Sequence, residues 1–574
     1  MFMRIKKWIP WFLIIGYALI LNAVTALPAG FASEKTGIFF LPAPSAVVIL
    51  WLIILAAFMA SLIKKVLLLS ASAVWGGIFL LTGMGEAITR FFYEREFQPR
   101  CDFFFVLDGL KLVTQNVGDT RAWPYVVIVL LVCLVPIGLL FYIHWLIVNR
   151  IKMNKQKVFI TAAVIFSIIS CAGMIWVSPP TGMLLYNRLQ PPNLEFDNAV
   201  TDNGKAGKKA AGDIDGQKKT NPGLLPAEGA SKDPGSSTTS EQNPDKKIIT
   251  GFPLLQEGGK AQDVYFIIVE SYGAIILDDP DFQKVFKPRL KSFETKLKNA
   301  GFLQVSRFFT SPVKGGFSWL ADSSMMTGLN INLEEKYAKV LESSADSLPR
   351  IFKRKGYTSI LIAPGNAYGD WPEGRRFYGY DNTIVDGDFG YKGPDFCFVP
   401  VPDQFALYTV NQYKNQHADK RPFFFEIVLV SGHSPYSKIP AYIPSWQMGD
   451  GSILDKKPIR TFDNTWVSGS EYREGFQAAM EYDMDTIFGF IETYVDSNDL
   501  IIVIGDHQPP RPVAERGASW DVIGHVITGN KKIIRNFTKK GYNEGLIPER
   551  KTKSVPIRLI YSHLLDSISG HKKE

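Results

Sequence analysis

Acidic and imidazole side chains stand at the ends of three apolar, β-rich runs of this sequence. Glu270 ends one run, Asp506 and His507 end another, and His433 follows a third in the segment SGHSPY. Because ligands bind beyond the carboxyl ends of parallel strands, these side chains should meet at one edge of a sheet. Two carboxylates and an imidazole suit Mn²⁺ or Zn²⁺. A single such strand end is more often a helix cap or an ion pair, so the prediction depends on the convergence of three.

Ser318 is the candidate nucleophile. It lies in the segment KGGFSWLADSSMMTGL, in which Gly315 and Gly316 permit a close approach of the backbone to a ligand. The pattern predicts a short helix that begins at Ser318, and the N–H groups and dipole of a helix N-terminus suit phosphate or sulfate. The local alternative is that Ser318 only caps this helix. A serine hydroxyl becomes an effective nucleophile when a metal or a base lowers the cost of ionising it.

The elements that must position these residues alternate between strand and helix. Continuous apolar runs predict strands at 264–270, 358–364, 423–430 and 499–506. Amphipathic stretches predict helices at 284–300, 346–356 and 471–495. Buried strands that alternate with helices indicate an α/β fold with a mostly parallel central sheet.

The first 178 residues have a different character. They carry 15 basic and 7 acidic side chains, a formal charge of +8, whereas the remainder carries 48 of each. A basic excess confined to an apolar segment argues against a nucleic-acid partner. Runs of spanning length predict a five-helix transmembrane bundle. The predicted spans are 8–26, 45–63, 66–84, 124–148 and 158–178.

The placement of Lys and Arg predicts the topology of this bundle. Basic clusters at 4–7, 64–65 and 150–157 fall on alternate sides of the five spans and should face the cytoplasm. The first span has no clear cleavage site and is interpreted as a retained anchor. Five crossings from a cytoplasmic N-terminus place residue 179 onward outside the membrane.

Three segments follow from these patterns. Residues 1–178 form the transmembrane domain, 179–261 a partly disordered linker rich in Gly, Lys, Asp and Ser, and 262–574 an exported globular domain. Four cysteines do not make a disulfide framework. Cys101 and Cys397 could both lie outside the membrane, and the sequence leaves open whether they pair.

Four segments together resemble the sulfatase and alkaline-phosphatase superfamily: IIVESYG with Glu270, the Ser318 segment, SGHSPY and GDHQPP. The resemblance is greatest to its membrane branch, the lipoteichoic acid synthases and the phosphoglycerol transferases of osmoregulated periplasmic glucan. It implies an alkaline-phosphatase-like α/β domain behind five spans. It also implies a multi-pass protein of the bacterial cell (inner) membrane, with the catalytic domain periplasmic or extracellular.

The sulfatase signature tests this resemblance. In that signature, C/S-x-P-x-R, a Thr-Gly pair follows nine and ten residues after the nucleophile, and Thr327 and Gly328 keep this distance from Ser318. Leu320 and Asp322 replace the Pro and the Arg, which in the family direct conversion of the nucleophile to formylglycine. The resemblance therefore implies that Ser318 stays a hydroxyl, which fits phosphotransfer better than sulfate-ester hydrolysis.

The resemblance carries over to site residues one by one. It implies one divalent metal, Mn²⁺ as the first expectation and Zn²⁺ or Mg²⁺ as alternatives, held by Glu270, Ser318, Asp506 and His507. The family has Thr at the position of Ser318. His433 matches a histidine that holds the substrate or assists the leaving group.

The substrate pocket departs from the family pattern. The predicted substrate-binding residues are Trp371, Arg375, Arg376 and His525. Trp371 matches a pocket tryptophan, but Glu373 stands where the family has Arg, with the two arginines just beyond. His525 lies in a strand-like segment and either contacts the substrate or supports the site indirectly.

The predicted function is a membrane-anchored, metal-dependent phosphotransferase. It would move a phosphoglycerol-type group from a phosphatidylglycerol-like donor to an envelope glycan or polymer through a phosphorylated Ser318. Three alternatives stay open: a sulfatase-like sulfuric or phosphoric ester hydrolase, a phosphoethanolamine transferase, and a non-catalytic lipid-sensing regulator. The few cysteines count against the second alternative, and the retained metal set against the third.

Overall fold

The chain divides into two compact units, Met1–Asn193 and Leu194–Glu574. In the second unit, the computed structural model describes residues 252–569 except 258–259, 366–370, 397, 399, 463–469, 512 and 516. In the first unit it describes residues 66–75, 77–78, 82, 85, 89, 134–135 and 138–145, all of them helical.

The predicted transmembrane segments fall largely outside this description. Spans 8–26, 45–63 and 158–178, most of the linker, Cys101 and Cys397 lie outside the described residues, and spans 66–84 and 124–148 are described in part. Among the described residues, no helix is both long enough and apolar enough to cross a membrane. The transmembrane bundle therefore stays a prediction.

Four strands of the second unit coincide closely with the four predicted apolar runs. The described strands are β1 (Gln256–Glu257), β2 (Lys260–Ala261), β3 (Val264–Val269), β4 (Leu303–Thr310), β5 (Thr358–Ala363), β6 (Asn382–Val385), β7 (Phe423–Leu429), β8 (Lys438–Ile439), β9 (Arg460–Thr461), β10 (Leu500–Gly505), β11 (Asp521–Thr528), β12 (Asn543–Glu544) and β13 (Val555–Pro556). The strands that match the predicted runs are β3, β5, β7 and β10.

A nine-stranded sheet forms the centre of this unit, in the order β12-β4-β11-β10-β3-β7-β5-β6, with β13 beside β4. The five strands from β10 to β6 run parallel, whereas β11 is antiparallel to both of its neighbours. This arrangement confirms the predicted α/β domain with a mostly parallel sheet. The carboxyl ends of β10, β3 and β7 are adjacent, since Val269 pairs with both Gly505 and Leu429.

Helices cover both faces of the sheet. The described α-helices of this unit are α1 (Ile275–Asp278), α2 (Pro280–Asn299), α3 (Ser318–Thr327), α4 (Glu334–Glu342), α5 (Leu348–Arg354), α6 (Pro372–Tyr378), α7 (Asp403–Gln416), α8 (Ser470–Tyr494), α9 (Lys531–Thr538) and α10 (Leu559–Ile568).

Two hydrophobic cores lie on opposite faces of the sheet. Along β3, Tyr265, Ile267 and Val269 enter the core that contains α2, α7 and α8, whereas Phe266 and Ile268 enter the core that contains α3, α5, α9 and α10. Burial of alternate side chains on both faces explains why the strand is apolar throughout rather than amphipathic.

The globular domain begins earlier than predicted. Phe252 and Leu255, assigned to the linker from the sequence, are 3% and 0% exposed and belong to the second core. The Phe252 ring packs against those of Phe352 and Tyr357 at centroid distances of 4.8 and 6.2 Å. The packed domain therefore begins no later than Phe252, ten residues before the predicted boundary at 262.

Candidate active site

Two neighbouring strands place the predicted metal ligands side by side. Glu270 follows β3 and Asp506 and His507 follow β10, which pairs with β3 in parallel register. The His507 Nε2 atom lies 3.4 Å from Glu270 Oε1 and 3.4 Å from Asp506 Oδ2. One ligand atom from each residue lies within 4.8 Å of the other two, and all three residues are buried.

Hydrogen bonds orient these side chains as a ligand set. The backbone N–H groups of Ser271 and His507 donate to Asp506 Oδ1 at 2.8 and 2.6 Å, which leaves Oδ2 facing the cluster. His507 Nδ1 lies 2.8 Å from the Gln508 carbonyl oxygen. Because a carbonyl only accepts, Nδ1 carries a hydrogen, and Nε2 is the nitrogen left to bind a cation. Two carboxylates and an imidazole that binds through Nε2 fit a divalent cation.

Burial and mutual charge perturb all three groups. Burial together with the charge of Glu270 raises the pKa of Asp506 to about 7. Burial opposes ionisation of Glu270, but the charges of His507 and His433 and hydrogen bonds from Ser271 and Ser318 hold its pKa below the usual value. The carboxylates of Asp506 and Glu270 overcome burial and raise the pKa of His507. The site thus concentrates negative charge that a cation would neutralise.

Ser318 meets the cluster from a different element. Its Oγ donates to Glu270 Oε2 at 2.9 Å and lies 3.1 Å from His507 Nε2. Ser318 begins α3, as predicted, but it does not cap it: the N-cap is Phe317, which adopts a left-handed conformation with φ 67°. The structure therefore brings the four predicted metal-set residues together.

The glycines before Ser318 are required by the backbone path. Gly315 and Gly316 have φ of 71° and 149°, a region that residues with a side chain rarely adopt. The Gly315 N–H donates to the carbonyl oxygen of Gln508 at 3.0 Å, the same oxygen that His507 Nδ1 contacts. One carbonyl after β10 thus fixes both the nucleophile loop and the imidazole.

His433 lies beside the cluster rather than within it. Its Nδ1 is 2.5 Å from the Ser434 carbonyl oxygen, so Nδ1 carries a hydrogen and Nε2 is the remaining atom for chemistry. The Phe398 ring stacks on the imidazole at a centroid distance of 3.6 Å. The proximity of His433 contributes to the lowered pKa of Glu270, so the two side chains share one site.

The residues around Trp371 approach the nucleophile helix. Trp371 precedes α6, and its ring lies 5.5 Å from that of Tyr378, whose hydroxyl donates to Ser323 Oγ in α3 at 2.8 Å. Arg375 and Arg376 are exposed in the last turn of α6. Arg375 lines a recess of about 650 Å³ beside the edge strand β6. Contact of the two arginines with substrate stays a prediction.

The structure places His525 inside the sheet, and its contact with substrate stays a prediction. The ring is 0% exposed in β11, with Nδ1 2.6 Å from Ser306 Oγ and Nε2 3.0 Å from the Tyr272 hydroxyl. Because Ser306 donates to the Gly545 carbonyl oxygen at 2.6 Å, it accepts from Nδ1–H, and Nε2 accepts from Tyr272. Both ring nitrogens are satisfied, and burial lowers the pKa of His525 to about 3.

Two further acids lie near the site and were not predicted as part of it. Asp322, one helical turn after Ser318, has a buried Oδ1 that finds no hydrogen-bond partner in the described part of the chain. Burial and the charges of Asp506 and Glu426 raise its pKa well above the usual value. Glu426 accepts a 2.6 Å hydrogen bond from Tyr380, and burial raises its pKa to about 7. A glutamate inside the apolar run FFFEIVLV was the signal that could have revealed it.

Comparison with known proteins relates part of the chain to one family. Residues 320–541 match the family model described as Sulfatase, a range that includes Asp506 and His507 and begins two residues after Ser318. Comparison with curated proteins finds no match. Two of the predicted metal ligands therefore lie within a segment that is similar to sulfatases.

Solved structures similar to this chain include three with informative descriptions. The lipoteichoic acid synthase LtaP from Listeria monocytogenes is 14% identical, covers 58% of this chain and 76% of its own, and has a TM-score of 0.38. The Streptococcus pyogenes phosphoglycerol transferase GacH, solved with sn-glycerol-1-phosphate, is 11% identical over 54% and 85%, with a TM-score of 0.33. The putative sulfatase yidJ from Bacteroides fragilis is 16% identical over 55% and 75%, with a TM-score of 0.34.

Proposed function

We propose that this protein is a metal-dependent phosphotransferase that uses Ser318 as its nucleophile. The superfamily supports an enzyme that transfers or hydrolyses phosphate or sulfate esters. The observation that carries the proposal is the position of Ser318 Oγ, which lies within hydrogen-bonding distance of both Glu270 and His507. A hydroxyl held against two predicted metal ligands is arranged for attack on an electrophilic centre.

The metal would be held by Glu270, Asp506, His507 and the Ser318 oxygen. When bound, a divalent cation lowers the cost of ionising the serine and neutralises charge on the phosphoryl oxygens. Glu270 Oε2 accepts the hydrogen bond from the Ser318 hydroxyl, which fixes the rotation of that hydroxyl and turns its lone pairs away from the carboxylate.

The chemical steps require one proton carrier. Ser318 gives up its proton to solvent on ionisation, and its alkoxide oxygen bonds to phosphorus while the bond from phosphorus to the donor's alcohol oxygen breaks. His433 Nε2 gives its proton to that leaving oxygen, and the Ser318 alkoxide is restored in the second half-reaction. In the second half-reaction His433 takes the proton of an acceptor hydroxyl, the acceptor oxygen bonds to phosphorus, and the Ser318–phosphorus bond breaks. With water as the acceptor, the same intermediate would give hydrolysis.

We propose an anionic phospholipid of the phosphatidylglycerol type as donor and an envelope glycan or polymer as acceptor. Support comes from the apolar N-terminal third with its excess of eight positive charges, which would hold the enzyme at a membrane surface that contains the donor. Leu320 and Asp322 replace the pair that directs formylglycine formation, which favours a serine and hence a phosphate ester over a sulfate ester.

The test uses the purified full-length protein in detergent or lipid nanodiscs with labelled phosphatidylglycerol. Release of labelled diacylglycerol is expected when Mn²⁺ is added and should stop on chelation. Ser344→Ala, at an exposed serine of the same domain, is a matched control for Ser318→Ala. If the protein releases no diacylglycerol but cleaves an aryl sulfate, the sulfatase-like alternative replaces this proposal.

A further inference from the structure

Two buried carboxyl groups lie directly behind the turn that carries His433. Asp403 and Asp483 are 0% and 1% exposed. Asp403 is the first residue of α7 and Asp483 lies in the middle of α8, two helices that pack on the same face of the sheet. Neither residue has a role in the chemical steps proposed above, and an ionised carboxyl group without a partner is costly at such burial.

Asp403 fixes the backbone that leads to His433. Its Oδ1 accepts the N–H of Val430 at 2.8 Å, and its Oδ2 accepts the N–H of Ser431 at 3.1 Å. The Asp403 N–H in turn lies 3.2 Å from Ser431 Oγ. A 3.0 Å hydrogen bond from the His433 N–H to the Val430 carbonyl then closes the turn. Val430 and Ser431 are therefore hydrogen-bonded directly to Asp403 at the start of α7, and His433 is linked to it through its hydrogen bond with Val430.

Asp483 completes this arrangement as a proton donor. Neither of its carboxyl oxygens accepts a hydrogen bond from an N–H or O–H group among the described residues. Its Oδ2 nevertheless lies 3.1 Å from the position of a Cβ on Gly432, in the same turn that Asp403 binds, and the pKa of each carboxyl group is affected by the other. Because both Asp403 oxygens already accept N–H groups, the interaction of the two carboxyl groups is attractive only if Asp483 is protonated and donates. Burial accordingly raises the pKa of Asp483 well above the usual value.

Gly432 packs closely against both helix α8 and the end of β3, next to the active site. A Cβ at residue 432 would lie 2.3 Å from the Glu270 carbonyl oxygen, 2.6 Å from Met480 Cε and 3.1 Å from Asp483 Oδ2. At Gly432 the turn therefore lies so close to the end of β3 and to helix α8 that no side chain fits between them. A displacement of Asp483 would shift this turn, and with it the imidazole of His433.

We propose that Asp483 and Asp403 form a carboxylic acid–carboxylate pair that positions His433 for proton transfer. The inference rests on the proposed function for the role of His433. The clamp, by which we mean the hydrogen bonds that Asp403 accepts from the N–H groups of Val430 and Ser431, rests on geometry alone. Both aspartates are positioning residues, since neither touches the reacting atoms.

Three variants of full-length protein test the clamp. Asp483→Asn keeps a donor, because the amide N–H can replace the carboxyl O–H toward Asp403. Asp483→Leu has similar bulk but no donor. Asp485→Leu is the matched control, since Asp485 lies in the same helix and pairs with Arg289 at the partly exposed surface at 3.0 Å.

The first measurement compares two donors that differ in leaving group. With phosphatidylglycerol, whose alkoxide must be protonated, Asp483→Leu should lower kcat about 100-fold with little change in KM, since misplacement by about 1 Å has this effect. In the first turnover of a p-nitrophenyl phosphodiester, which precedes the deprotonation of an acceptor by His433 and whose leaving group needs no proton, the loss should be much smaller. Asp483→Asn and Asp485→Leu should stay within about fivefold of the parent protein with both donors. Equal losses with both donors would show a general structural defect and overturn the inference.

The second measurement does not depend on activity. Hydrogen–deuterium exchange, followed by mass spectrometry of peptides that cover 430–436, should accelerate in Asp483→Leu and stay at the parent rate in Asp483→Asn and Asp485→Leu. Unchanged exchange in Asp483→Leu would refute the clamp. If the parent protein releases no diacylglycerol, the proposed function fails, and the exchange rates still decide whether the acid pair holds the turn.

Discussion

Ser318 Oγ donates a 2.9 Å hydrogen bond to Glu270 Oε2, although the two residues lie 48 positions apart in the chain. Glu270 ends a central strand, and Ser318 begins a helix that packs on one face of the same sheet. The bond therefore links the two parts of the domain that the proposed reaction needs together: the edge that would hold a cation, and the helix N-terminus that suits a phosphoryl group.

Removal of the Ser318 hydroxyl should abolish most of the turnover but leave the stability of the protein nearly unchanged. Ser318→Ala is expected to lower diacylglycerol release about 10⁴-fold or more, because no other group replaces the nucleophile. The side chain is only partly buried and its two contacts lie within the site, so the free energy of unfolding should change by about 0.5 kcal/mol or less. Turnover and thermal melting are the measurements, with Ser344→Ala as control, and retained turnover would remove Ser318 from the mechanism.

A residue that only supports the ligands should tune metal affinity. Ser271 Oγ donates to Glu270 Oε1 at 2.7 Å. In Ser271→Ala the carboxylate loses this orienting bond, and Mn²⁺ affinity should fall about 10- to 100-fold, as is usual for partners of metal ligands. Calorimetric titration of the full-length protein with Mn²⁺ measures the change. An unaltered Kd would mean that Glu270 is oriented without Ser271, or is not a ligand.

Sequence patterns predicted the apolar parallel strands because burial on both faces leaves them no polar position. The same criterion missed β4, Leu303–Thr310, which carries Gln304, Ser306 and Arg307. These polar side chains are buried with partners from distant segments: Ser306 with His525 and Gly545, and Arg307 with the carbonyl oxygens of Lys540 and Lys553. A linear sequence does not display such partners.

As with the strands, only part of the site could be predicted from the sequence. Glu270, Asp506 and His507 stand at strand ends, which is a local signal, whereas the role of Ser318 depended on the resemblance to a known family. Asp403 and Asp483 gave no signal, because a buried carboxyl pair between two helices forms only when the chain has folded. For His525 the strand position was visible in the sequence, but its hydrogen-bond partners Tyr272 and Ser306 were not.

The environment of His525 predicts a pH dependence of stability. In the folded protein its pKa is lowered to about 3, whereas an unfolded histidine titrates near 6.5. Between these values the unfolded state binds more protons, so stability present above pH 6.5 is lost as pH falls, at up to about 1.4 kcal/mol per pH unit.

The matched variant for this effect is His525→Gln, which does not titrate. Between pH 7 and pH 5 its free energy of unfolding should fall less steeply than that of the parent protein, even if it is less stable at both. Urea unfolding at the two pH values gives the difference, in which the titration of all other groups cancels. Parallel pH dependence in the two proteins would contradict the assignment of His525 as a buried neutral residue.

Two glycines offer a direct test of the close packing behind His433. At Gly432 a Cβ would come within 2.3 Å of the Glu270 carbonyl oxygen, so Gly432→Ala must displace either the turn or the end of β3. Overpacking of this kind costs about 1–3 kcal/mol of stability. At Gly387, apart from its chain neighbours, no atom of the residues that the structure describes lies within 4 Å of the corresponding position, so Gly387→Ala should be tolerated.

The two variants should also differ in activity. Because displacement of the turn moves His433 and displacement of β3 moves Glu270, Gly432→Ala should lose turnover beyond what its lower stability explains at a temperature where it remains folded. Gly387→Ala should retain the parent rate. Unfolding free energies and diacylglycerol release, measured on the same preparations, separate the two effects. A Gly432→Ala protein with parent stability and parent turnover would mean that the turn has room to move, and that His433 does not depend on its present position.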